Sequence, residues 1–362
     1  MSDGSPPRRA LRDLGEFGFI DSVRRRFGGP VRPGELGIGD DAAVIPAGRG
    51  RIVLTADMLL EGVHFDLRYF RPGEIGWRAL MANLSDLAAM GAEPVCYLVS
   101  IAAKSDTSLD LLHGVFAGMA SAARSSGIRL LGGDTCRGDR LVLSLALAGR
   151  IGRGREVRRS GARPGDLLFV TGEPGWSRLG LRLLSGGRPP RLRGWKRRAA
   201  EAHLKPVARL AAGRAAARSG AVSAMIDLSD GLLPDLTRLL AESRCGARLE
   251  EPFFPISPRF RAAARALGEN PLAAFLAGGE DYELLMAVPP RRVSVFRRAA
   301  NGFGVPAVAI GEVTRRRGVR IHRPDGSVLE GDDLPEGFSH FPAAASRRPG
   351  SFPLRRRSRS VR

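Results

Sequence analysis

Cysteine is scarce in this chain. Cys96, Cys136 and Cys245 lie far apart, form no CxxC pair and have no local histidine to complete a zinc site, so they read as buried free thiols. Long apolar runs are also missing: no stretch of about 18 apolar residues is present to span a membrane. The polar, Arg-bearing first residues lack the apolar segment of a signal peptide, which points to a cytoplasmic protein. Lysine is nearly absent. Only Lys104, Lys196 and Lys205 stand among 57 Lys plus Arg, so arginine carries the formal charge of +20.

Such a charge makes nucleic acid a suspect, because phosphate neutralisation drives that binding. Its location argues otherwise. The densest basic run, RRPGSFPLRRRSRSVR (347–362), is rich in Pro, Ser and Arg and is expected to be disordered. A second cluster, RPPRLRGWKRR (188–198), reads as a solvated loop between helices. Neither interleaves aromatic residues, as a single-strand platform would. The chain also lacks a GxxxxGK[ST] loop and the HRD and DFG pair of protein kinases, which excludes the common lysine-cradled phosphoryl-transfer sites.

Strand and helix patterns alternate through the chain. After an unstructured start to residue 13, EFGFIDSVRRRF reads as a short helix and RIVLTAD (51–57) as a buried strand ending in an acid. A helix over 72–90, a strand over 95–102, a helix ended by Gly127 and a strand over 141–150 follow. RRSGARPGD (158–166) is a turn-rich joint. Beyond it the pattern restarts with a strand at DLLFVTG, a helix near 175–185 and one long helix over 199–219. Further strands are expected at 223–227, ARLEE, 282–288 and 305–313, with helices at 229–243, 257–266 and 290–300. The fold class is α/β, or α+β with mixed sheets, in two domains at 14–150 and 164–341 joined at 151–163, with tails at 1–13 and 342–362.

Against this basic background stands an unusual set of acids. Asp40, Asp41, Asp57, Asp86, Asp134, Asp227, Asp230, Glu280 and Asp281 lie among glycines and apolar residues, most without a basic neighbour in sequence. An isolated buried carboxylate is costly, so something positive must compensate it. Distant arginines are one answer. Oxygen-only clusters without Cys or His are also the ligand set of Mg²⁺ or Mn²⁺. For single residues simpler roles compete: Asp57 at a strand end fits a helix cap, Ser229 an N-cap, and Asp230 the first turn of the helix that follows. Asp86, within the apolar segment LSDLAAMG, must pair with a buried arginine or meet metal. LLGGDT (130–135) offers glycines whose N–H groups can approach an anion.

The strings GIGDDAAV, LTADMLLEGVHF, MANLSDLAAMGAEP, LLGGDTCRG, RRSGARPGD, IDLSDGL and AGGEDYELL, in this order, closely resemble the thiamine-monophosphate kinases of the aminoimidazole-ribonucleotide-synthetase-like (PurM-like) superfamily. The likeness runs from about residue 14 to residue 341. It implies two α/β domains, a homodimer formed through the N-terminal sheet, and transfer of a phosphoryl group from ATP to thiamine monophosphate. By the same likeness Asp41, Asp57, Asp86, Asp134, Asp227 and Asp230 bind several Mg²⁺ ions, with Thr55 and Ala56 supplying oxygen. Gly133, Asp134, Arg159 and Ser229 match ATP-phosphate contacts, and His64, Glu280 and Phe338 match substrate contacts. No general base is implied, since the acceptor phosphate is already deprotonated at neutral pH. Two departures stand out: Ala56 replaces a common hydroxyl residue, and Phe338 a common Tyr or Trp. Another PurM-like synthetase is the nearest alternative, and a basic nucleic-acid-associated protein with a vestigial kinase fold the more distant one.

Overall fold

The computed structural model describes residues 11–27, 32–48, 50–152, 156–189 and 191–335. Helix α1 (Leu11–Phe27) belongs to a separate unit from Pro30–Phe338, and begins earlier than the expected ordered start. Phe338 and the Arg-rich tail lie outside the described residues.

The unit Pro30–Phe338 is built on two sheets. The first contains β1 (Ala43–Ala47), β2 (Gly50–Leu60), β3 (Glu93–Ala103), β4 (Arg129–Arg137) and β5 (Val142–Ile151), in the order β1-β2-β5-β3-β4. Only the β3–β4 pair is parallel. Two helices cover one face: α2 (Pro72–Ala89) and α3 (Leu109–Ser126). Helix α2 starts where Pro72 fixes the first turn and the Glu74 carboxylate accepts the Arg71 N–H at 2.8 Å. Helix α3 starts at Ser108, whose hydroxyl accepts from the Asp110 N–H, and stops at Gly127 in the left-handed region, as its sequence implied. The two helices approach backbone to backbone. A Cβ on Gly76 would lie 1.8 Å from the Val115 carbonyl, and one on Gly118 2.0 Å from that of Gly73.

The second sheet contains β6 (Leu167–Thr171), β7 (Ala224–Asp227), β8 (Gly246–Glu250), β9 (Leu284–Val288), β10 (Ala307–Thr314), β11 (Gly318–His322) and β12 (Val328–Glu330), in the order β12-β11-β8-β10-β6-β9-β7. Around it lie α4 (Trp176–Leu184), α5 (Gly194–Leu204), α6 (Leu210–Ser219), α7 (Leu232–Ser243), α8 (Pro258–Ala266), α9 (Pro271–Ala277) and α10 (Val293–Ala300). The single long helix expected over 199–219 is two, α5 and α6. Pro206 cannot donate to a continuing helix, so the chain breaks there. The basic stretch 188–198 is only half loop: α5 starts at Gly194, and Arg188 is tied to Glu74 at 2.7 Å. Strands β1, β4, β11 and β12 and helix α9 have no counterpart in the sequence reading.

Helix α2 links the two sheets. Leu80, Leu84 and Leu87 enter the core beneath the first sheet, while Ala88 and Ala89 join Phe169, Met225 and Met286 of the second. Both sheets therefore pack on one helix, and that helix carries Asp86 between them. Among the described residues no helix is long and apolar enough to cross a membrane. Of the three thiols only Cys245 is buried; Cys136 is exposed, because β4 is an edge strand open along its length.

Candidate active site

Three carboxylates from three elements converge. Asp41, just before β1, Asp86, in α2, and Asp227, at the C-terminal end of β7, each offer an oxygen, and these oxygens lie within 4.8 Å of one another. At that separation two ionised carboxylates repel by about 3–4 kcal/mol at an effective dielectric near 20. Burial, with Asp57, Asp227 and Asp41 around it, raises the Asp86 carboxyl well above its ordinary range. Burial, then Asp41 and Asp235, raise Asp227 in the same way, although Ser85 and Arg159 oppose it. Asp57 faces the same group from β2; burial by its surroundings, Asp230 and Asp41 raise it, even though the residue is open to solvent on one side.

Each member is held by specific partners. Thr55 Oγ1 donates to Asp86 Oδ2 at 2.5 Å, and the Asp57 N–H donates to Asn83 Oδ1 at 3.0 Å. Asn83 is fully buried in α2 and was not foreseen as part of the site. Thr55 and Asp57 share one face of β2, so the Ala56 side chain projects to the other. A hydroxyl at position 56 would therefore point away from the acidic group, and its loss leaves the group intact. Arg159 donates its N–H to Asp40 at 3.1 Å and its guanidinium to Asp41 at 2.7 Å. Burial and the neighbouring Asp41 push Asp40 up to about 7. The joint between the two strand-helix runs thus reaches into the site through Arg159.

These acids fit a divalent cation on three observations. The second oxygen of Asp41 is buried and has no hydrogen-bond partner. Among the described residues no Lys or Arg ion-pairs with Asp57, Asp86 or Asp227, so the arginine that the sequence offered to Asp86 as an alternative is not there. The donors are oxygen alone, the hard set that suits Mg²⁺ or Mn²⁺.

Asp230 stands at the margin, paired with Arg238. The start of α7 differs from expectation: its N-cap is Gly231, not Ser229, and its first turn begins at Leu232. Asp235, fully buried, supplies the cap by accepting the N–H groups of Asp230 and Gly231, both at 3.0 Å. A carboxylate inside the helix reaches back to do what Ser229 was expected to do. Burial raises Asp235 to about 7, against the pull of Arg238. Ser229 instead offers its carbonyl to the Glu280 N–H at 2.6 Å.

Gly133 and Asp134 sit apart from the three carboxylates. They lie within β4 rather than in a glycine turn, and along the register Asp57↔Leu145, Leu145↔Val99, Val99↔Gly133 they stand three strands from Asp57. That is roughly 14 Å at the usual strand spacing. Glycine is required at 133, because a Cβ would meet the Val99 carbonyl at 1.8 Å.

A second charged group borders the first. Glu280 ion-pairs with Arg78, which is 1% exposed, and lies 3.6 Å from His203 Nδ1. Burial would raise the Glu280 carboxyl, but the Arg78 guanidinium outweighs it and holds the carboxyl below its usual range. His64 accepts the Leu60 N–H on Nδ1 at 3.0 Å. Asp281, the next residue, turns the other way to cap α4 through the N–H groups of Gly175 and Ser177.

Burial and Arg78 depress His203 from 6.5 to about 3, so it is neutral in the fold but protonates in the unfolded chain below about pH 6.5. Its contribution to stability is complete above that pH and is lost progressively as pH falls toward 3, up to about 4–5 kcal/mol. The raised aspartates act in the opposite direction, so the variant comparison isolates this group. Between pH 6.5 and 4, His203→Gln is expected to lose stability less steeply than the parent chain, by about one proton in the slope of unfolding free energy against pH. Parallel urea-unfolding curves for the two proteins across that range would refute this assignment.

The architecture is that of an AIR synthase related protein. The family model for the N-terminal domain of these proteins matches residues 39–151, and the model for the C-terminal domain matches residues 163–323. Within this class the chain belongs to the thiamine-monophosphate kinase family. It is 37% identical over 343 residues to the thiamine-monophosphate kinase of Escherichia coli K12, covering 90% of this chain and 98% of that one. With the enzyme of Corynebacterium glutamicum it shares 36% over 311 residues, 84% of this chain and 88% of that one. A solved structure described as AaThiL complexed with AMPPCP and TMP superposes with a TM-score of 0.81 at 31% identity, covering 93% of this chain and 100% of that chain.

Proposed function

We infer that this chain phosphorylates thiamine monophosphate with ATP, giving thiamine diphosphate. The observation that carries the mechanism is the convergence of Asp41, Asp86 and Asp227 from both sheets onto one helix. Both reactants are polyanions, so the main obstacle to attack is electrostatic. Mg²⁺ bound there would neutralise the phosphates and fix them in line.

The chain's own residues supply the rest. Asp41, Asp86 and Asp227, with Asp57 and Thr55 beside them, form the oxygen-lined holder, and Asp230 extends it. Arg159 is suited to clamp a nucleotide phosphate through its planar guanidinium. Gly133, Asp134 and Ser229 are assigned to the nucleotide by family likeness, and His64 and Glu280 to the acceptor. A phosphate oxygen is the nucleophile, so no side chain need remove a proton.

A homodimer through the first sheet fits the exposed apolar side chains on its uncovered face. Leu54, Met58 and Leu98 are 42%, 59% and 48% exposed. Use of ATP fits a cytoplasmic location.

The deciding experiment is a single-turnover assay of ADP release against a panel of phosphate acceptors. ADP formation is expected to require thiamine monophosphate and a divalent cation together. Equal ADP release without the acceptor, or with unrelated phosphates, would overturn the assignment.

A further inference from the structure

Arg78 is among the largest side chains fully withdrawn from solvent, and no local motif marks it out. It lies on α2 about two turns before Asp86. Its guanidinium ion-pairs with Glu280 and donates to the carbonyl of His203. His203, on α5 and 2% exposed, places Nδ1 3.6 Å from the second Glu280 oxygen and 3.3 Å from Ser177 Oγ. Arg78 therefore grips the carboxylate from behind, and the neutral His203 ring stands against its second oxygen.

The loop carrying that carboxylate is held under strain. Glu280 and Tyr282 both adopt left-handed backbone, with φ of 65° and 53°. For non-glycine residues such conformations cost about 1–3 kcal/mol each and persist only where the surroundings impose them. Here Asp281 is tied to the start of α4, and the N–H groups of Glu280 and Tyr282 are tied to Ser229 and Leu228. The strain turns Glu280 and Asp281 in opposite directions. Glu280 stays 29% exposed, with His64 within electrostatic reach, and its own backbone bonds the segment that follows Asp227. Its free side thus borders the acidic group.

A buried ion pair is poor value as a stabiliser, since apolar residues of like volume do as well. Its use here is geometric. We propose that Arg78 and His203 are positioning residues that fix the Glu280 carboxylate toward the amino- or cation-bearing end of the phosphate acceptor, so that acceptor binding depends on them and nucleotide binding does not. The proposal rests on the phosphoryl-transfer reading above.

The test is steady-state kinetics on the full chain, varying thiamine monophosphate and ATP separately, for Arg78→Met, Arg78→Lys and His203→Gln. In Arg78→Met the KM for thiamine monophosphate is expected to rise about tenfold or more, the loss expected for a hydrogen bond to a charged group. The KM for ATP and kcat should stay within about twofold, Arg78→Lys should recover part of the loss, and His203→Gln should show a smaller rise confined to the acceptor. If Arg78→Met does not fold, the other two variants decide. An unchanged acceptor KM in both, or a fall in kcat alone that tracks the folded fraction, reduces the pair to a structural role and overturns the proposal. A parent chain that forms no ADP with the acceptor defeats the functional reading itself, and the variants would not be needed to see it.

Discussion

Asp86→Asn is expected to reduce turnover by about 10³ or more while making the metal-free protein harder to unfold. The two effects have one cause. Asp86 lies within 4.8 Å of oxygens from Asp41 and Asp227, and among the described residues its only close hydrogen-bond donor is Thr55. Without a cation, removing one negative charge relieves repulsion of about 3–4 kcal/mol per close pair. The amide keeps the shape and an acceptor for Thr55. It loses the charge that a divalent ion needs. Two measurements check the point: ADP release at saturating Mg²⁺, and thermal unfolding in chelator at pH 8. In the parent chain Mn²⁺ should raise the melting temperature at pH 8 more than at pH 5, where raised carboxyls are partly protonated. In Asp86→Asn that response should shrink. Activity within tenfold of the parent, or a metal-free melting temperature below it, would show that Asp86 is a structural acid.

Arg209→Met is expected to cost about 3–5 kcal/mol, the usual penalty for stranding one partner of a buried ion pair. Arg209 donates to both oxygens of Glu283, at 2.8 Å through Nε and 2.5 Å through its terminal nitrogen. Thr171 Oγ1 donates to the same carboxylate at 2.6 Å, and the Glu283 side chain is only 6% exposed. The contact ties the start of α6 to the ends of β6 and β9. Gly172 closes it off: a Cβ there would stand 2.1 Å from Glu283 Oε1. A chain with Arg209→Met and Glu283→Gln together should regain part of the loss, because no charge is then left buried. Urea unfolding of the single and double variants reads this directly. Equal stability of parent and single variant would mean that water, not arginine, satisfies Glu283.

Much of the site was legible before any fold was known, for an electrostatic reason. Acids far from any basic neighbour are conspicuous in a chain with 57 Lys plus Arg, and Asp41, Asp86 and Asp227 are of that kind. Asp235 carries no such signal, because it sits in an ordinary amphipathic helix beside Arg238, and its use as a cap for residues four and five positions earlier is invisible locally. Arg78 and His203 were missed for a related reason. One arginine among many carries no signal until its burial is known.

Local chemistry alone determined the α/β alternation, the ends of α2 and α3, and the oxygen-only character of the acidic set, since periodicity, capping residues and ligand hardness are properties of short segments. Tertiary structure decided which acids meet. Asp86 reaches both Asp41 and Asp227 because α2 packs against both sheets, whereas Gly133 and Asp134 lie three strands from Asp57. It also decided that Arg159 reaches Asp41, and that Glu280 faces a buried arginine while Asp281 caps a helix. Such pairings join residues up to about two hundred positions apart, and only long-range packing fixes distances of that kind.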